Sequence, residues 1–284
     1  MESVEGSEDS ACANCGHFCQ VKAGVSTKWW VKCPPIDGVS HFENLQSTNW
    51  NSLRFKNPPS ANTDIGWRVE FRPMDIQLTD FENTALTVMV GMIANIINTF
   101  DLDFVLPISL VDDNMKRAHL RDGLTDIKFW WKIPTAEQAK TGYKVSDVNK
   151  TDFLRSNLKN TLKLGMSHEI SRYKELYIWQ ILDGDAQAGM PEGIIALCQQ
   201  FMDLKKWPAE KKAETNNYLN FLSERARGKI LTGARFIRNF VTQHTTYKQD
   251  SFLNEEISYD LLKMLDTLND PDSQARAEFL GKYK

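Results

Sequence analysis

The stretch GWRVEFRP, residues 66–73, places two kinds of side chain on opposite faces of one predicted strand. Successive side chains of a β-strand point to opposite faces, and we expect this strand to cover residues 67–77. Three apolar side chains share one face, which predicts a core face: Trp67, Val69 and Phe71. The other face carries three full charges spaced about 7 Å apart: Arg68, Glu70 and Arg72.

The charged face has two interpretations. On the wet face of an edge strand, Glu70 between two arginines is a surface ion-pair ladder that contributes about 0–1 kcal/mol per pair. On a functional face, arginine binds phosphate or carboxylate oxygens through two parallel hydrogen bonds. A carboxylate between two arginines stays ionised and can help to hold Mg²⁺. The eight residues alone leave both interpretations open.

The composition is that of an ordinary globular protein. The chain has 284 residues, 42% of them hydrophobic and 25% charged, which is enough apolar mass for a core. A net charge of −3 gives no general attraction to nucleic acid or acidic lipid, so we expect neither as a partner.

The acidic, polar start has no secretory pattern. The longest apolar run, residues 85–97, is too short to cross a bilayer and predicts a core helix. We expect a cytoplasmic protein with no membrane attachment.

Residues 1–39 differ in composition from the rest and are expected to form a disordered leader before a domain at residues 40–284. The leader holds four of the five cysteines: Cys12, Cys15, Cys19 and Cys33. With His17 they allow a zinc knuckle, but unpaired, reduced cysteines are the favoured interpretation, because the second ligand pair is reduced to one residue. Cys198 lies in an apolar run and is expected in the core.

The pattern of caps and apolar residues predicts an α+β fold that is mostly helical. Thr79 and Glu82 form a capping-box pattern that opens a helix ending near Phe100. Residues 101–109 predict a short strand or an extended connector, followed by a helix with a cap at Ser109.

The rest of the chain predicts further helices. Residues 130–170 predict an irregular polar insertion, and the aromatic run 129–131 is at helix-compatible positions. We expect helices at five places: 170–183, 191–206, 209–227, 233–243 and 256–268. Thr232 and Ser258 are placed at helix starts, and Gly228 at a helix end.

The common catalytic signatures are missing from the sequence. There is no phosphate-binding P-loop, no dinucleotide fingerprint, no nucleophile elbow and no H-E-x-x-H zinc motif. The five histidines are scattered. The charged strand is therefore the remaining candidate site.

That strand belongs to a set of segments that together resemble the catalytic subunit of the eukaryotic glutamate–cysteine ligases. The segments are HFENLQSTNWNSLRFK (41–56), DIGWRVEFRPMDIQLTDFENTA (64–85), VDDNMKRAHLRDG (111–123) and ARFIRNFVTQHTTYKQDS (234–251). The resemblance covers most of 40–129 and about 217–265, and it weakens across a variable insertion at 130–190.

The resemblance implies the C-terminal part of a fold like that of glutamine synthetase, with helices packed around a curved antiparallel sheet. It also implies ATP and Mg²⁺ as cofactors, and L-glutamate and L-cysteine as substrates. ATP would phosphorylate the γ-carboxylate of glutamate, and the amine of cysteine would then attack the acyl phosphate to give γ-glutamylcysteine, the first step of glutathione synthesis. A modifier subunit is an expected partner.

By the same resemblance, Glu70 is expected to bind Mg²⁺, and Arg72 to contact the nucleotide phosphates or the glutamyl phosphate as a catalytic residue. Arg68 is expected to belong to the substrate-binding residues and to position Glu70 and Arg72 rather than to contact the reacting groups directly. Trp50 is expected to form a wall of the substrate pocket on the cysteine side, and Arg54 to contact a carboxylate or phosphate.

This chain also departs from the family. Asp75 stands where the family has Glu, and Arg227 and Lys229 replace a small residue and a Glu around Gly228. The family's chain runs much further towards the N-terminus, where most metal-binding carboxylates are expected. We therefore expect this chain to carry part of an active site and to be inactive or poorly soluble alone. The alternative is a non-catalytic module that binds a full-length ligase or its modifier subunit.

Overall fold

The computed structural model describes residues 52–56, 58, 64–145 and 170–283. The chain divides into two compact units, Met1–Asp75 and Ile76–Lys284. The predicted leader, its cysteines and the boundary near residue 40 lie outside the described residues and stay predictions.

The described part of the first unit is a two-stranded antiparallel ribbon. Strand β1 is Leu53–Lys56 and strand β2 is Arg68–Phe71. The strand predicted over 67–77 is therefore shorter, although the backbone N–H of Arg72 still donates to the carbonyl of Ser52 at 3.0 Å. Pro73 follows and has no N–H for the ladder, which explains why the regular strand ends there.

The second unit is mainly helical and contains one small sheet. Its first half comprises α1 Asp80–Phe100, α2 Ile108–Ala118, α3 Gly123–Asp126, β3 Lys128–Lys132 and α4 Ala136–Thr141. After residue 169 follow β4 Tyr173–Tyr177, α5 Ile178–Asp183, α6 Ile194–Leu204, α7 Ala209–Ala226, α8 Gly233–Gln243, α9 Glu255–Thr267 and α10 Gln274–Leu280. Single 3-10 turns precede β4 and follow α10. Helices with two small antiparallel sheets confirm the predicted α+β class.

Helix α1 begins at the predicted capping box. The Thr79 hydroxyl accepts from the backbone N–H of Glu82, and the Glu82 carboxylate accepts from the backbone N–H of Thr79 at 3.0 Å. The helix ends at Phe100, where Asp101 turns into the left-handed region with φ 51°. Start and end agree with the prediction.

The buried side chains of α1 form one stripe at helical spacing, including Ala85, Met89, Met92 and Ile96. This stripe joins the hydrophobic core with residues of α6 and α7. The helix has 21 residues and is long and apolar enough to cross a membrane by length and composition. The prediction of a core helix is confirmed by this buried stripe, and the 13-residue apolar run 85–97 on which it rested is shorter than the whole helix. Core helices pass the same test.

The second sheet corrects the prediction for residues 129–131. Strand β3 pairs antiparallel with β4, with Trp130 opposite Glu175. The aromatic run therefore lies in a strand rather than a helix, and residues 130–145 contain regular structure; residues 146–169 lie outside the described ranges. Because β4 occupies 173–177, the helix predicted over 170–183 is limited to α5.

Two predicted caps are wrong. Helix α2 begins directly after Pro107, so Ser109 lies inside its first turn and makes no cap. Helix α9 is capped by Asn254, whose side chain accepts from Ile257 N–H, and Ser258 lies inside that helix. Thr232 caps α8 as predicted, and Gly228 follows α7 with φ +73°.

One buried ion pair joins two long helices in the core. Arg225 on α7 donates from Nη1 to Oε1 of Glu82 on α1 at 2.7 Å. The Arg225 guanidinium also lies over the Phe221 ring, 4.4 Å from its centroid. Burial lowers the pKa of Arg225, against the opposing effect of Glu82. Cys198 is fully buried nearby in the same core, as predicted, and burial raises the pKa of its thiol to about 12.

Candidate functional site

The ribbon separates charged and apolar side chains onto its two faces. Arg54 lies directly opposite Glu70, and Lys56 lies opposite Arg68. Residues directly opposite each other in an antiparallel pair share a face. Arg72 has the same parity as Glu70 along β2 and continues this face beyond the strand. The charged face therefore consists of four cations and one carboxylate.

Glu70 is the centre of the charged face. Its Oε1 accepts a hydrogen bond from Arg72 Nε at 2.7 Å, and its Oε2 is paired with the Lys56 ammonium. Each of these three side chains is about one third exposed. The hydrogen bond from Lys56, followed by that from Arg72, holds the pKa of Glu70 below its ordinary value. The carboxylate is therefore ionised at neutral pH.

The remaining cations leave this face with a surplus of positive charge. Glu70 neutralises at most one of four cations, so the face has a net charge of three positive units before any ligand binds. Closely spaced cations repel one another, and a bound oxyanion relieves that repulsion. The arrangement suits phosphate or carboxylate groups.

The opposite face of the ribbon is apolar and exposed. Its large side chains are 42–64% exposed: Leu53, Phe55, Trp67, Val69 and Phe71. Phe55 and Trp67 stack on each other, with ring centroids 4.8 Å apart. The predicted core face is therefore uncovered within the described part of this unit. Two strands alone provide no second layer against which such a face can pack.

The structure brings together four of the five predicted site residues. Arg54, Arg68, Glu70 and Arg72 share one face, while Trp50 lies outside the described residues. Lys56 was missed by the sequence analysis, although it pairs directly with Glu70. The available signal was the alternation in LRFK (53–56), which repeats that of the next strand.

The metal prediction finds limited support in the ribbon. Among the residues that the structure describes, no group of three His, Cys, Asp or Glu side chains is arranged to hold a metal ion. Mg²⁺ prefers about six oxygen ligands, and the charged face supplies one carboxylate whose oxygens are bound to Lys56 and Arg72. The described residues alone do not form a magnesium site.

Comparison with known proteins places the ribbon and the helical unit in one family. A family model described as glutamate-cysteine ligase matches residues 35–268. The glutamate–cysteine ligase of Schizosaccharomyces pombe is 39% identical over 233 residues, covering 82% of this chain and 31% of that protein. The glutamate–cysteine ligase catalytic subunit of Homo sapiens is 38% identical over 222 residues, covering 78% and 32%. The chain thus spans about a third of the length of these relatives.

Proposed function

This chain belongs to the glutamate–cysteine ligase family, and on that premise we propose that it contributes part of an active site that joins L-glutamate to L-cysteine. The proposed reaction uses ATP and gives γ-glutamylcysteine, ADP and phosphate. We place it in the cytoplasm, as expected from the composition. The observation that carries the proposal is the charged face of the ribbon, where four cations surround one ionised carboxylate.

The chemistry explains why such a face is useful. An oxygen of the glutamate γ-carboxylate attacks the terminal phosphorus of ATP, and the bond to ADP breaks. The cysteine amine then attacks the acyl carbon, phosphate leaves, and the amine loses a proton. Negative charge is spread over phosphoryl oxygens in the first step and leaves with phosphate in the second. Fixed cations at those positions stabilise both transition states.

The proposed roles follow from positions on the ribbon. Arg72 is assigned to the transferred phosphoryl group, because its guanidinium extends beyond the Nε–H that it donates to Glu70. Arg68 and Arg54 flank Glu70 and are assigned to phosphate or carboxylate oxygens. Lys56 is added to this set because it holds the Glu70 carboxylate ionised. Trp50 keeps its proposed place in the substrate pocket.

Mg²⁺ would neutralise and orient the ATP phosphates when bound. Glu70 is proposed as one ligand, which requires Lys56 or Arg72 to release one of its oxygens. The other ligands would have to come from residues other than those described. The glutamine-synthetase-like sheet is likewise part of the proposal. It is supported by the antiparallel ribbon and by the exposed apolar face, which is typical of one layer of a larger packed sheet.

The proposal is tested with a chimera of the fission yeast enzyme. The 233-residue segment that matches this chain is replaced by the corresponding residues of this chain, and formation of γ-glutamylcysteine and ADP is measured with both amino acids and ATP. We expect activity from the chimera and none from the 284-residue chain alone. Arg72→Ala in the chimera should lower kcat by about 10²–10³-fold, whereas Lys211→Ala on the exposed side of α7 should leave it unchanged.

An inactive but folded chimera would contradict the proposed function. The 284-residue chain alone producing ADP that requires both amino acids and is lost in Glu70→Ala would support the ligase reaction but contradict the incomplete site.

The exposed apolar face favours a second candidate function. A non-catalytic chain that binds a full-length ligase or its modifier subunit would use that face as its contact surface. It would co-purify with the partner, lose that binding in Val69→Thr, and give an inactive chimera.

A further inference from the structure

A cleft of about 940 Å³ opens in the helical unit, and none of the residues that line it belongs to the ribbon. One wall is formed by residues 120–126, which include α3, and the other by residues 227–239, which include the start of α8. Nothing in the proposed reaction uses this cleft. It also contains Arg227.

The cleft has an excess of arginine. Four arginines line it, against two aspartates: Arg121, Arg227, Arg235, Arg238, Asp122 and Asp126. Counted together with the Asp183 carboxylate that pairs with Arg227, these side chains leave one positive charge. An enclosed surface with such an excess attracts anions more strongly than a flat one, because field lines concentrate in a cleft.

Two of the arginines have partners that fix them. Arg235 pairs with Asp122 at 2.8 Å. Arg227 donates from Nε to Asp183 at 2.7 Å, and its guanidinium lies over the Trp179 ring, 4.4 Å from the centroid. Arg227 is therefore held by an ion pair and an aromatic contact at the edge of the cleft. The aspartates are engaged as well, since Asp126 accepts from the Thr125 hydroxyl at 2.7 Å.

The other two arginines are available to a ligand. In the part of the chain that the structure describes, neither Arg121 nor Arg238 is engaged in an ion pair. Arg238 is one turn beyond Arg235 on α8, so the two like charges repel each other along the helix. Asn239 adds amide donors and lines the same cleft.

The backbone adds to the same field. Thr232 caps α8 and, with Ala234, lines the cleft at the positive end of that eleven-residue helix. The helix dipole favours negative charge near its first turn. The contribution is small beside that of the arginines, but it has the same sign.

We propose that this cleft binds a small polyanion that carries phosphate or carboxylate groups, held by Arg121, Arg238 and Asn239. Arg227 and Arg235 lie at the edges of the site. They add positive charge there while their ion pairs with Asp183 and Asp122 stay intact. The site is independent of the ribbon and of the proposed ligase reaction.

The test is isothermal titration calorimetry with the full 284-residue chain at low salt. Inorganic pyrophosphate and citrate serve as the phosphate and carboxylate probes. We expect one saturable site for at least one probe, weakening as salt rises. Arg121→Ala and Arg238→Ala should each reduce the affinity about tenfold or more, because each removes a charge-assisted contact. Arg238→Lys should retain part of the binding.

Three controls separate this site from other surfaces. Lys211→Ala removes one positive charge elsewhere and should leave the affinity unchanged. Arg72→Ala removes any separate binding at the charged face of the ribbon and should leave the affinity of the cleft unchanged. If all saturable pyrophosphate binding is lost in Arg72→Ala and kept in Arg238→Ala, the binding belongs to the ribbon and the proposal is overturned. Far-UV circular dichroism confirms that each variant is folded. No saturable binding of either probe at 5–10 mM, on the order of weak surface affinity, also overturns it.

The two probes distinguish the source of the anion. Tighter binding of pyrophosphate assigns the site to phosphorylated ligands, and tighter binding of citrate assigns it to polycarboxylates. Either result, with loss in Arg238→Ala, supports the proposal. Because the readout is binding rather than turnover, it remains valid whether or not the chimera described above is active.

Discussion

Arg225 on α7 reaches Glu82 on α1 across 2.7 Å, and the carboxylate that it contacts is fully buried. The same carboxylate accepts from the backbone N–H and the hydroxyl of Thr79. A side chain that begins one helix is thus paired with a side chain near the end of another. This ion pair therefore links the first turn of α1 to the last turn of α7 within the second unit.

Removing Arg225 should be strongly destabilising. Arg225→Met leaves the buried Glu82 carboxylate without its cation, and we expect a loss of about 3–5 kcal/mol in the free energy of unfolding, measured by urea titration. The double variant Arg225→Met with Glu82→Leu should recover most of that loss. Lys282→Ala, which removes an exposed partner of Glu224, should cost less than about 1 kcal/mol. Equal effects for Arg225→Met and Lys282→Ala would contradict the assigned role.

The two predicted helix caps offer a matched pair of variants. Thr79→Ala removes a cap that accepts from Glu82 N–H, so we expect the unfolding free energy to fall by about 1–2 kcal/mol. Ser109→Ala should change it by less than about 0.5 kcal/mol, because helix α2 has no side-chain cap there. Both are measured by thermal or urea unfolding. A larger loss for Ser109→Ala than for Thr79→Ala would contradict the structure at both sites.

The ribbon should show a depressed carboxyl titration. Because the pKa of Glu70 is lowered by Lys56 and Arg72, its ion pairs are fully formed above the ordinary glutamate pKa and are lost as the pH falls through the lowered value. Carbon-detected NMR of the Glu70 side chain measures this directly. Lys56→Gln should move the midpoint upwards, towards the ordinary value. An unchanged midpoint in Lys56→Gln would show that the pairing is absent in solution.

The exposed apolar face should govern the solubility of the isolated chain. Val69→Thr and Phe71→Thr reduce that face without touching the charged side, and we expect lower binding of the dye ANS and a higher solubility limit. Arg54→Ser, on the opposite face of the same ribbon, is the control and should not lower dye binding. If all three variants bind the dye equally, the apolar face is covered in solution.

The sequence predicts helix starts well where a side chain supplies the cap. Thr79 with Glu82 locates the first residue of α1, and Thr232 locates that of α8, because these are local hydrogen bonds that three or four residues specify. The cap predicted at Ser109 fails because the helix already begins at Ile108, so Ser109 lies inside the first turn.

Strands were harder to predict because their partners are distant or their length is short. Trp130 alternates with its neighbours only over five residues, and its partner Glu175 is 45 positions later along the chain. Lys56 was missed because four residues are too few to show a period of two. Once β2 was identified, the arginines and Glu70 were placed correctly on one face, since alternation alone determines that arrangement.

The separation of the ribbon's two faces limits which changes in length the protein tolerates. One residue inserted between Glu70 and Phe71 would reverse the facing of every later side chain, so Arg72 would turn to the apolar side and lose its ion pair with Glu70. Substitutions at these positions change one side chain at a time, whereas an odd insertion or deletion exchanges whole faces. Two-residue changes preserve the facing. Insertions or deletions of an odd number of residues in this strand should therefore be tolerated less well than substitutions of its individual side chains.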